Sequence, residues 1–255
     1  MLKYSISIYL FLMVSCVWSQ SKPIDLQPKD TVPKTQKYGL RVGVDLSKIV
    51  LSTLDEDYTG LELVGDYRLK QNLFVAAELG NEKLTRQEDL YNFTTSGSYL
   101  KVGVDYNVYE NWFGMNNLIH VGGRYAFSSF SHTLNNYQIF STNRYFENEQ
   151  FAFGSDIAEE FSGLNASWIE AVIGTKVELF SNIYLGASVR LGLLITNKED
   201  DRFPNLWIPG FNKVTDNSKF GASYNYTLSY FIPLYKKKKE AKKIKKENDK
   251  TTPNE

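Results

Sequence analysis

The residues of this chain best suited to acid–base chemistry are its two histidines, and the second of them follows a serine-rich segment. His132 comes directly after residues 128–131, three of which are serine. A serine nucleophile needs an adjacent base, and the base needs a third group that orients it. Asp156 or Glu159 could be that group only if the chain folds back toward His132. A lipid-modifying enzyme stays open as an alternative, but no motif fixes its geometry, and we expect a non-enzymatic protein.

The sequence also gives little support for a metal or cofactor site. Its one cysteine, Cys16, lies in an apolar run near the N-terminus, and its other histidine, His120, is distant from His132 along the chain. Two separated histidines without cysteine do not form the ligand cluster that a transition metal needs. There is also no glycine-rich phosphate loop. We therefore expect no metal, no cofactor and no disulfide.

Charged residues of both signs recur at alternate positions through the middle of the chain. Charges that are removed from water must be paired, because burial costs several kcal/mol per ion. If these residues face a closed interior, the sequence predicts a salt-bridged structural network, with a narrow ion path or a ligand pocket as the alternative. The predicted network consists of Arg41, Asp45, Glu62, Asp66, Arg68, Lys101, Asp105, Arg124, Glu170, Lys176, Glu178 and Arg190, with Glu78 on the same face.

The elements that position these charges are segments of strict two-residue alternation. The first segment, at 39–48, places Leu40 and Val42 on one face and Arg41 and Asp45 on the other. Such a period predicts a strand with one apolar and one polar face. Seven further segments show the same pattern, at 58–69, 73–80, 99–108, 118–127, 167–179, 183–195 and 219–232.

The connections between the eight predicted strands alternate in length. Short links are predicted at 70–72, 109–117 and 180–182, and long ones at 49–57, 81–98, 128–166 and 196–218. This rhythm is typical of an all-β, antiparallel, up-and-down transmembrane β-barrel with short periplasmic turns and long external loops. It places both termini in the periplasm. A ten-stranded barrel is the alternative, because residues 137–146 could add a hairpin arm within the long 128–166 connection.

A soluble β-barrel or sandwich, such as a lipocalin, would also alternate along its strands. In a soluble barrel, however, the charges face water and the apolar face points inward. Here the polar face also carries glycines, among them Gly43, Gly103 and Gly122. Small residues beside long charged ones suit the narrow interior of an eight-stranded barrel, which side chains can fill. We therefore favour the membrane barrel.

The residues also carry a resemblance to a known group of proteins. The segment at 38–48, YGLRVGVDLSK, resembles the first strand of small outer-membrane barrels of Bacteroidota that have no assigned function. The whole region 38–235 resembles these porin-like or OmpA-like barrels. In the last strand, Lys219, Gly221, Tyr224 and Tyr226 resemble the signal that the barrel-assembly machinery reads, although that signal usually ends a chain. The resemblance implies the fold and the outer membrane, and it implies no specific activity.

The ends of the chain read differently from its body. Residues 1–19 resemble a signal peptide cleaved after Ser19, and a lipoprotein acylated at Cys16 is the alternative. Residues 20–37 are predicted to form a disordered periplasmic linker. The tail, 236–255, holds nine lysines and four acidic residues and is also predicted to be disordered. Its candidate partners are anionic headgroups or an acidic periplasmic protein, and a solvated tail without a partner is equally open.

Aromatic residues are concentrated in the two longest predicted loops. The last loop holds Phe203, Leu206, Trp207, Ile208 and Phe211. Such residues either contact partners or pack the loops over the rim of the barrel. We expect an envelope protein with a structural or interaction role, in contact with outer-membrane lipids and the barrel-assembly machinery, and not with nucleic acid. A part in a secretion or transport assembly is the alternative, and a lipid-modifying enzyme at the outer rim is less favoured.

Overall fold

The computed structural model describes residues 35–109, 117–140, 151–214 and 218–238. The predicted signal peptide with Cys16, the linker up to residue 34 and the tail from residue 239 lie outside the described residues. No helix in the described part of the chain is long and apolar enough to cross a membrane. The elements are β1 (Thr35–Asp45), α1 (Leu46–Leu54), β2 (Tyr58–Arg68), β3 (Leu73–Gln87), β4 (Tyr91–Asn107), β5 (Leu118–Phe140), β6 (Phe151–Ser155), β7 (Glu159–Phe180), β8 (Ile183–Lys198), β9 (Trp207–Ile208), β10 (Asn212–Lys213) and β11 (Phe220–Lys238).

Eight antiparallel strands form a closed ring. Their order is β4, β3, β2, β1, β11, β8, β7 and β5, and a further pairing of β5 with β4 closes the circle. The first and last strands of the chain are neighbours, with Leu40 opposite Ile232. The predicted all-β, antiparallel architecture with eight ring strands is confirmed. The ten-stranded alternative is wrong, because β5 continues through Tyr137–Phe140 and pairs there with β6, which is not a member of the ring.

The strands at one end of the ring, which we call the upper end, are longer than the alternation predicts. The predicted loop at 81–98 is instead a hairpin with a short connection at 88–90, and most of the predicted loop at 128–166 belongs to β5, β6 and β7. The outward residues there are polar, and Asn81 Nδ2 donates to Ser98 Oγ across the pair at 2.9 Å. Polar pairs stabilise a ladder but remove the apolar alternation from the sequence. β1 also starts earlier than predicted, at Thr35, and β11 continues to Lys238.

The end of β1 differs from the predicted strand, which continued to Lys48. The chain turns into helix α1 at Leu46 because Asp45 caps it: Asp45 Oδ1 accepts hydrogen bonds from Ser47 N at 2.9 Å and from Ser47 Oγ at 2.7 Å. An aspartate that satisfies a free amide group of the first turn favours a helix start. β1 therefore stops lower in the ring than its two neighbours.

The two faces of the ring carry opposite chemistry. On β1, Val42 is 46% exposed whereas Arg41 is 4% exposed, and on β8 Val189 is 59% exposed whereas Arg190 is 4% exposed. Apolar side chains thus point outward and charged side chains point inward. The main aromatic and aliphatic core lies in the upper part of the interior, where it includes Tyr99, Phe130, Trp168 and Ile208. A few aromatic residues are also buried near the opposite end.

Candidate functional site

The interior of the ring is a network of ion pairs, and Glu78 on β3 lies at its centre. Its carboxylate accepts a hydrogen bond from Arg124 Nε at 3.2 Å. It also accepts two from Arg190, one of them from Nη2 at 3.2 Å. All three side chains are almost fully buried. Buried charges of this kind are stable only with good geometry and several hydrogen bonds, which this cluster supplies.

The network continues from both arginines. Arg124 forms a bidentate pair with Asp105, with Nη1–Oδ1 and Nη2–Oδ2 distances of 2.8 and 2.9 Å. Arg190 Nη1 lies 3.6 Å from Glu170 Oε2. Glu170 in turn accepts hydrogen bonds from Lys101 Nζ at 2.8 Å and from Trp168 Nε1 at 2.7 Å. These contacts join β4, β5, β7 and β8 across the interior.

A second cluster lies toward the end of the ring with the short turns, which we call the lower end. Asp66 accepts from Arg41 Nη2 at 2.7 Å and from Lys176 Nζ at 2.6 Å. The Arg41 guanidinium also lies over the rings of Phe74 and Tyr184, at 5.0 and 5.2 Å from their centroids. Aromatic faces attract a cation by their quadrupole. The cluster therefore holds its charges with both carboxylate and ring contacts.

Four predicted members form no salt bridge among the described residues. Asp45 and Glu62 instead accept hydrogen bonds from the Asn225 amide, and Arg68 and Glu178 lie at the lower rim. Arg68 donates to the carbonyls of Lys37 and Gln71 near the turn between β2 and β3. Glu178 is half-buried near the turn between β7 and β8, where it accepts from Asn182 N at 3.1 Å. Both residues alternate in phase with the interior, so the pattern selected them, but their height in the ring places them at its lower rim.

A third cluster, below the upper core, was not predicted from the sequence. Glu82 on β3 is fully buried and pairs with Lys48 of α1 at 2.5 Å. It also accepts a hydrogen bond from Gly210 N at 3.1 Å. Tyr99 OH donates to Glu62 at 2.5 Å and contacts Glu82 at 3.3 Å. The continuing alternation from Phe74 to Glu82 was the signal that could have revealed Glu82, but the polar outward residues ended the predicted strand at Gly80.

The buried charges of the described ring balance when Arg68 at the lower rim is counted together with the three clusters. Seven carboxylates and five cations are buried among the described residues, and half-buried Lys48 and Lys176 each pair with one of these carboxylates. The carboxylates are Asp45, Glu62, Asp66, Glu78, Glu82, Asp105 and Glu170, and the buried cations are Arg41, Arg68, Lys101, Arg124 and Arg190.

The interior leaves little free space. One cavity among the charged side chains and another at the lower end have volumes of ≈ 30 Å³ each. A volume of that size corresponds to about one water molecule. Side chains therefore fill the ring where it is described, as the width of an eight-stranded barrel allows.

The predicted last loop folds into the upper mouth of the ring. Phe203, Trp207, Ile208 and Phe211 are all buried there, and the Phe211 ring meets Trp168 edge-on with centroids 5.5 Å apart. We call residues 199–214 the plug segment. Of the two alternatives left open for its aromatic residues, packing over the rim is the one that the structure supports. Gly210, in a left-handed conformation with φ +82°, lets the backbone approach Tyr99 and reach Glu82.

His132 is a core residue in this arrangement. Its ring is fully buried, Nδ1 lies 2.5 Å from Thr95 Oγ1, and the Phe130 and Phe203 rings pack against it. Ser128 Oγ instead donates to a backbone carbonyl, and Glu159 pairs with Arg202 on the surface. The described contacts therefore do not assemble the serine, histidine and acid that the enzyme alternative requires.

His120 lies inside the ring, as its alternation predicts. It is 3% exposed, and its Nε2 is 3.9 Å from Asp105 Oδ2. This position is that of an interior polar residue.

A groove of ≈ 330 Å³ runs along the upper edge, between the β3–β4 hairpin and the plug segment. Its floor includes Phe93 and Trp207, and its sides include Arg86, Tyr91 and Lys213. An apolar floor with a few charged groups at the edge is typical of surfaces that bind small molecules or peptides.

Comparison with known proteins adds one family match. The model of a family described as a domain of unknown function (DUF6048) matches residues 1–237 of the chain. No curated protein matches the chain. Among solved structures, the crystal structure of Ail, the attachment invasion locus protein of Yersinia pestis, aligns with 78% of this chain and 99% of Ail, at 8% identity and a TM-score of 0.37.

Proposed function

The chain belongs to the DUF6048 family, and from that premise we propose that it is a closed outer-membrane β-barrel with a structural or interaction role at its external end. The family description assigns no activity, so the proposal depends on the chemistry of the two faces of the ring. It includes the expectation that the protein is not an enzyme and binds no cofactor.

The observation that carries the proposal is the apolar outer surface of all eight ring strands. Exposing a valine or leucine side chain to water, instead of burying it, costs about 1.5–3 kcal/mol. A continuous patch of such residues marks a surface that meets a membrane or a partner. The exposed residues include Leu40, Val42, Leu61, Leu63, Val75, Leu79, Leu100, Val102, Val104, Ile119, Val121, Ile169, Ile173, Val177, Leu185, Val189, Leu191 and Leu228.

The limits of this apolar band support an orientation. Above it, outward positions become polar, as at Asn81 and Ser98. Near its lower edge, Tyr67 and Tyr235 lie side by side with their hydroxyls 3.3 Å apart. Outer-membrane barrels have aromatic girdles at both membrane interfaces, and they have short turns on the periplasmic side, as at the lower end of this ring. We therefore propose that the lower end, with the described ends of β1 and β11, faces the periplasm, and that the upper end faces outward.

The filled interior favours an interaction role over transport. The two cavities between the described paired charges, at ≈ 30 Å³ each, are too small for a solute. At the upper end, by contrast, the groove of ≈ 330 Å³ is open to a ligand or a partner surface. Recognition of β11 by the barrel-assembly machinery remains a proposal. It is supported by the outward positions of Tyr224 and Tyr226, which are 59% and 52% exposed.

Membrane location and orientation can be tested together. A short epitope is inserted at Asp89, at the tip of the β3–β4 hairpin, or at Asn182, in the turn between β7 and β8. Both variants should fractionate with the outer membrane and migrate differently on gels before and after heating. Only the Asp89 epitope should be labelled on intact cells. Recovery as a soluble protein would overturn the proposed location, and labelling at Asn182 alone would reverse the orientation.

A further inference from the structure

The hydrogen-bonded wall of the ring has a seam above the end of β1. β1 pairs with β2 only from Leu40 to Val44, and its pairing with β11 ends at Asp45. Above that level, residues 58–62 of β2 and 220–226 of β11 have no ladder with each other in the described structure. Unpaired strand edges expose amide and carbonyl groups, which a barrel in a membrane must satisfy internally.

Helix α1 lies in this seam, and its side chains hydrogen-bond to one residue on each edge. On the β2 side, Ser52 Oγ accepts from Gly60 N at 2.7 Å, and its one hydroxyl proton lies between Lys48 O at 2.8 Å and Gly60 O at 3.2 Å. On the β11 side, Asp45 Oδ1 accepts from Tyr226 N at 3.2 Å. The cap residue of α1 and a serine in its last turn therefore replace part of the missing strand ladder.

The helix has two chemically different sides. Lys48 points inward to Glu82, and its side chain is only 13% exposed. Ile49, Val50 and Leu54 are 38%, 50% and 78% exposed. In a helix of nine residues, this much exposed apolar surface marks a side that packs against a membrane or a partner.

The apolar side of α1 continues the outward apolar band. On β2 the band continues with Leu61, which is 49% exposed, and on β11 with Tyr226. Resting on the proposed membrane location, we propose that α1 is a lipid-facing seal. Its apolar side packs against the acyl chains of the outer leaflet, and its polar side closes the seam over the Lys48–Glu82 pair. Amphipathic helices lie at the membrane interface in this way, with the apolar face among the acyl chains.

The proposal can be tested with fluorescent labels and lipids that carry a quencher in the acyl chain. In the full chain with Cys16→Ser, single cysteines are introduced as Val50→Cys on α1, Leu63→Cys in the apolar band and Asn81→Cys above it. Each variant is labelled, folded into vesicles and checked by the gel shift on heating. Leu54→Cys replaces Val50→Cys if that variant does not fold, because the Leu54 side chain makes few contacts at 78% exposure.

We expect acyl-chain quenching at Val50 comparable to that at Leu63, and little quenching at Asn81. Quenching at Leu63 but not at Val50 would refute the lipid-facing seal while leaving the membrane barrel intact. Equally weak quenching at all three positions would instead refute the proposed membrane location. A label at Val50 that is quenched by a water-soluble reagent as readily as one at Asn81 would show that α1 faces solvent or a soluble partner.

Discussion

Replacing Arg190 by methionine should destabilise the ring by removing one cation from its central network. Arg190 is 4% exposed and bonds to Glu78 and Glu170. Methionine keeps much of the aliphatic packing of the arginine stem, so the change acts mainly on charge. The carboxylates of Glu78 and Glu170 then remain buried with one cation fewer to neutralise their charge.

The size of the effect follows from the partners that remain. Breaking a buried ion pair by removing one member costs about 3–5 kcal/mol. Glu78 keeps Arg124 at 3.2 Å, and Glu170 keeps Lys101 at 2.8 Å, so neither carboxylate is orphaned. We therefore expect a loss near the bottom of this range, so that the free energy of unfolding decreases by about 3 kcal/mol.

The assay is reversible urea unfolding in vesicles, followed by tryptophan fluorescence and by the gel shift. Glu78→Gln and the double variant complete a cycle with Arg190→Met. Because Glu78→Gln removes the charge that Arg190 neutralises, the double variant should lose about 2 kcal/mol less than the sum of the single losses. Arg202→Met is the matched control, since Arg202 also pairs with two carboxylates but is 64% exposed. Its unfolding midpoint should not change.

Two outcomes would refute this reasoning. Arg190→Met could unfold at the same urea concentration as the unsubstituted protein, which would mean that water already screens the network. The losses in the cycle could also simply add, which would mean that Arg190 and Glu78 do not act on each other in the folded protein.

Four further predictions concern the mouth and the interior. Glu82→Ala removes the acceptor of Gly210 N and the partner of Lys48. Proteolysis within the plug segment should therefore accelerate roughly tenfold, which corresponds to a local loss of about 1.4 kcal/mol. An unchanged rate of proteolysis would show that Glu82 does not hold the plug segment in place. In planar bilayers the purified protein should give no stable conductance, and a large steady current would refute the filled interior. His132→Ala should leave envelope phenotypes unchanged when the barrel folds, and loss of a lipid-modifying activity would revive the enzyme alternative. The Arg202 backbone N–H and guanidinium lower the pKa of Asp200. The contact between Asp200 and Arg202 should therefore persist at neutral pH and weaken only as the pH falls through that lowered pKa. Chemical shifts of an isotope-labelled sample would report the change.

Alternation predicts those parts of the fold where two environments meet at one strand. In β1, Val42 faces outward and Arg41 inward, and the contrast is visible in the sequence because one side is apolar. The upper strands lack that contrast. Asn81 and Thr85 are polar on the outside, so nothing in the pattern shows that the ladder continues to Gln87.

The candidate site follows the same rule. Glu78 and Arg190 were found because they alternate with apolar neighbours, whereas Glu82 lies beyond the apolar region of β3. Lys48 belongs to a helix that begins where the strand pattern seemed to continue, and only the cap at Asp45 marks the change. Which loop fills the mouth could not be predicted at all, because that depends on how aromatic side chains such as Trp207 fit the space inside the ring.

The pairing of β1 with β11 has a consequence for the order in which the molecule is made. Leu40 finds its partner Ile232 only after nearly all of the described chain has been synthesised. Contacts between such distant parts of a chain form slowly, because a long loop must close before the contact stabilises it. Until β11 arrives, both edges of the growing sheet are open to pairing with other chains. A chain cut short before β11 should therefore aggregate instead of closing.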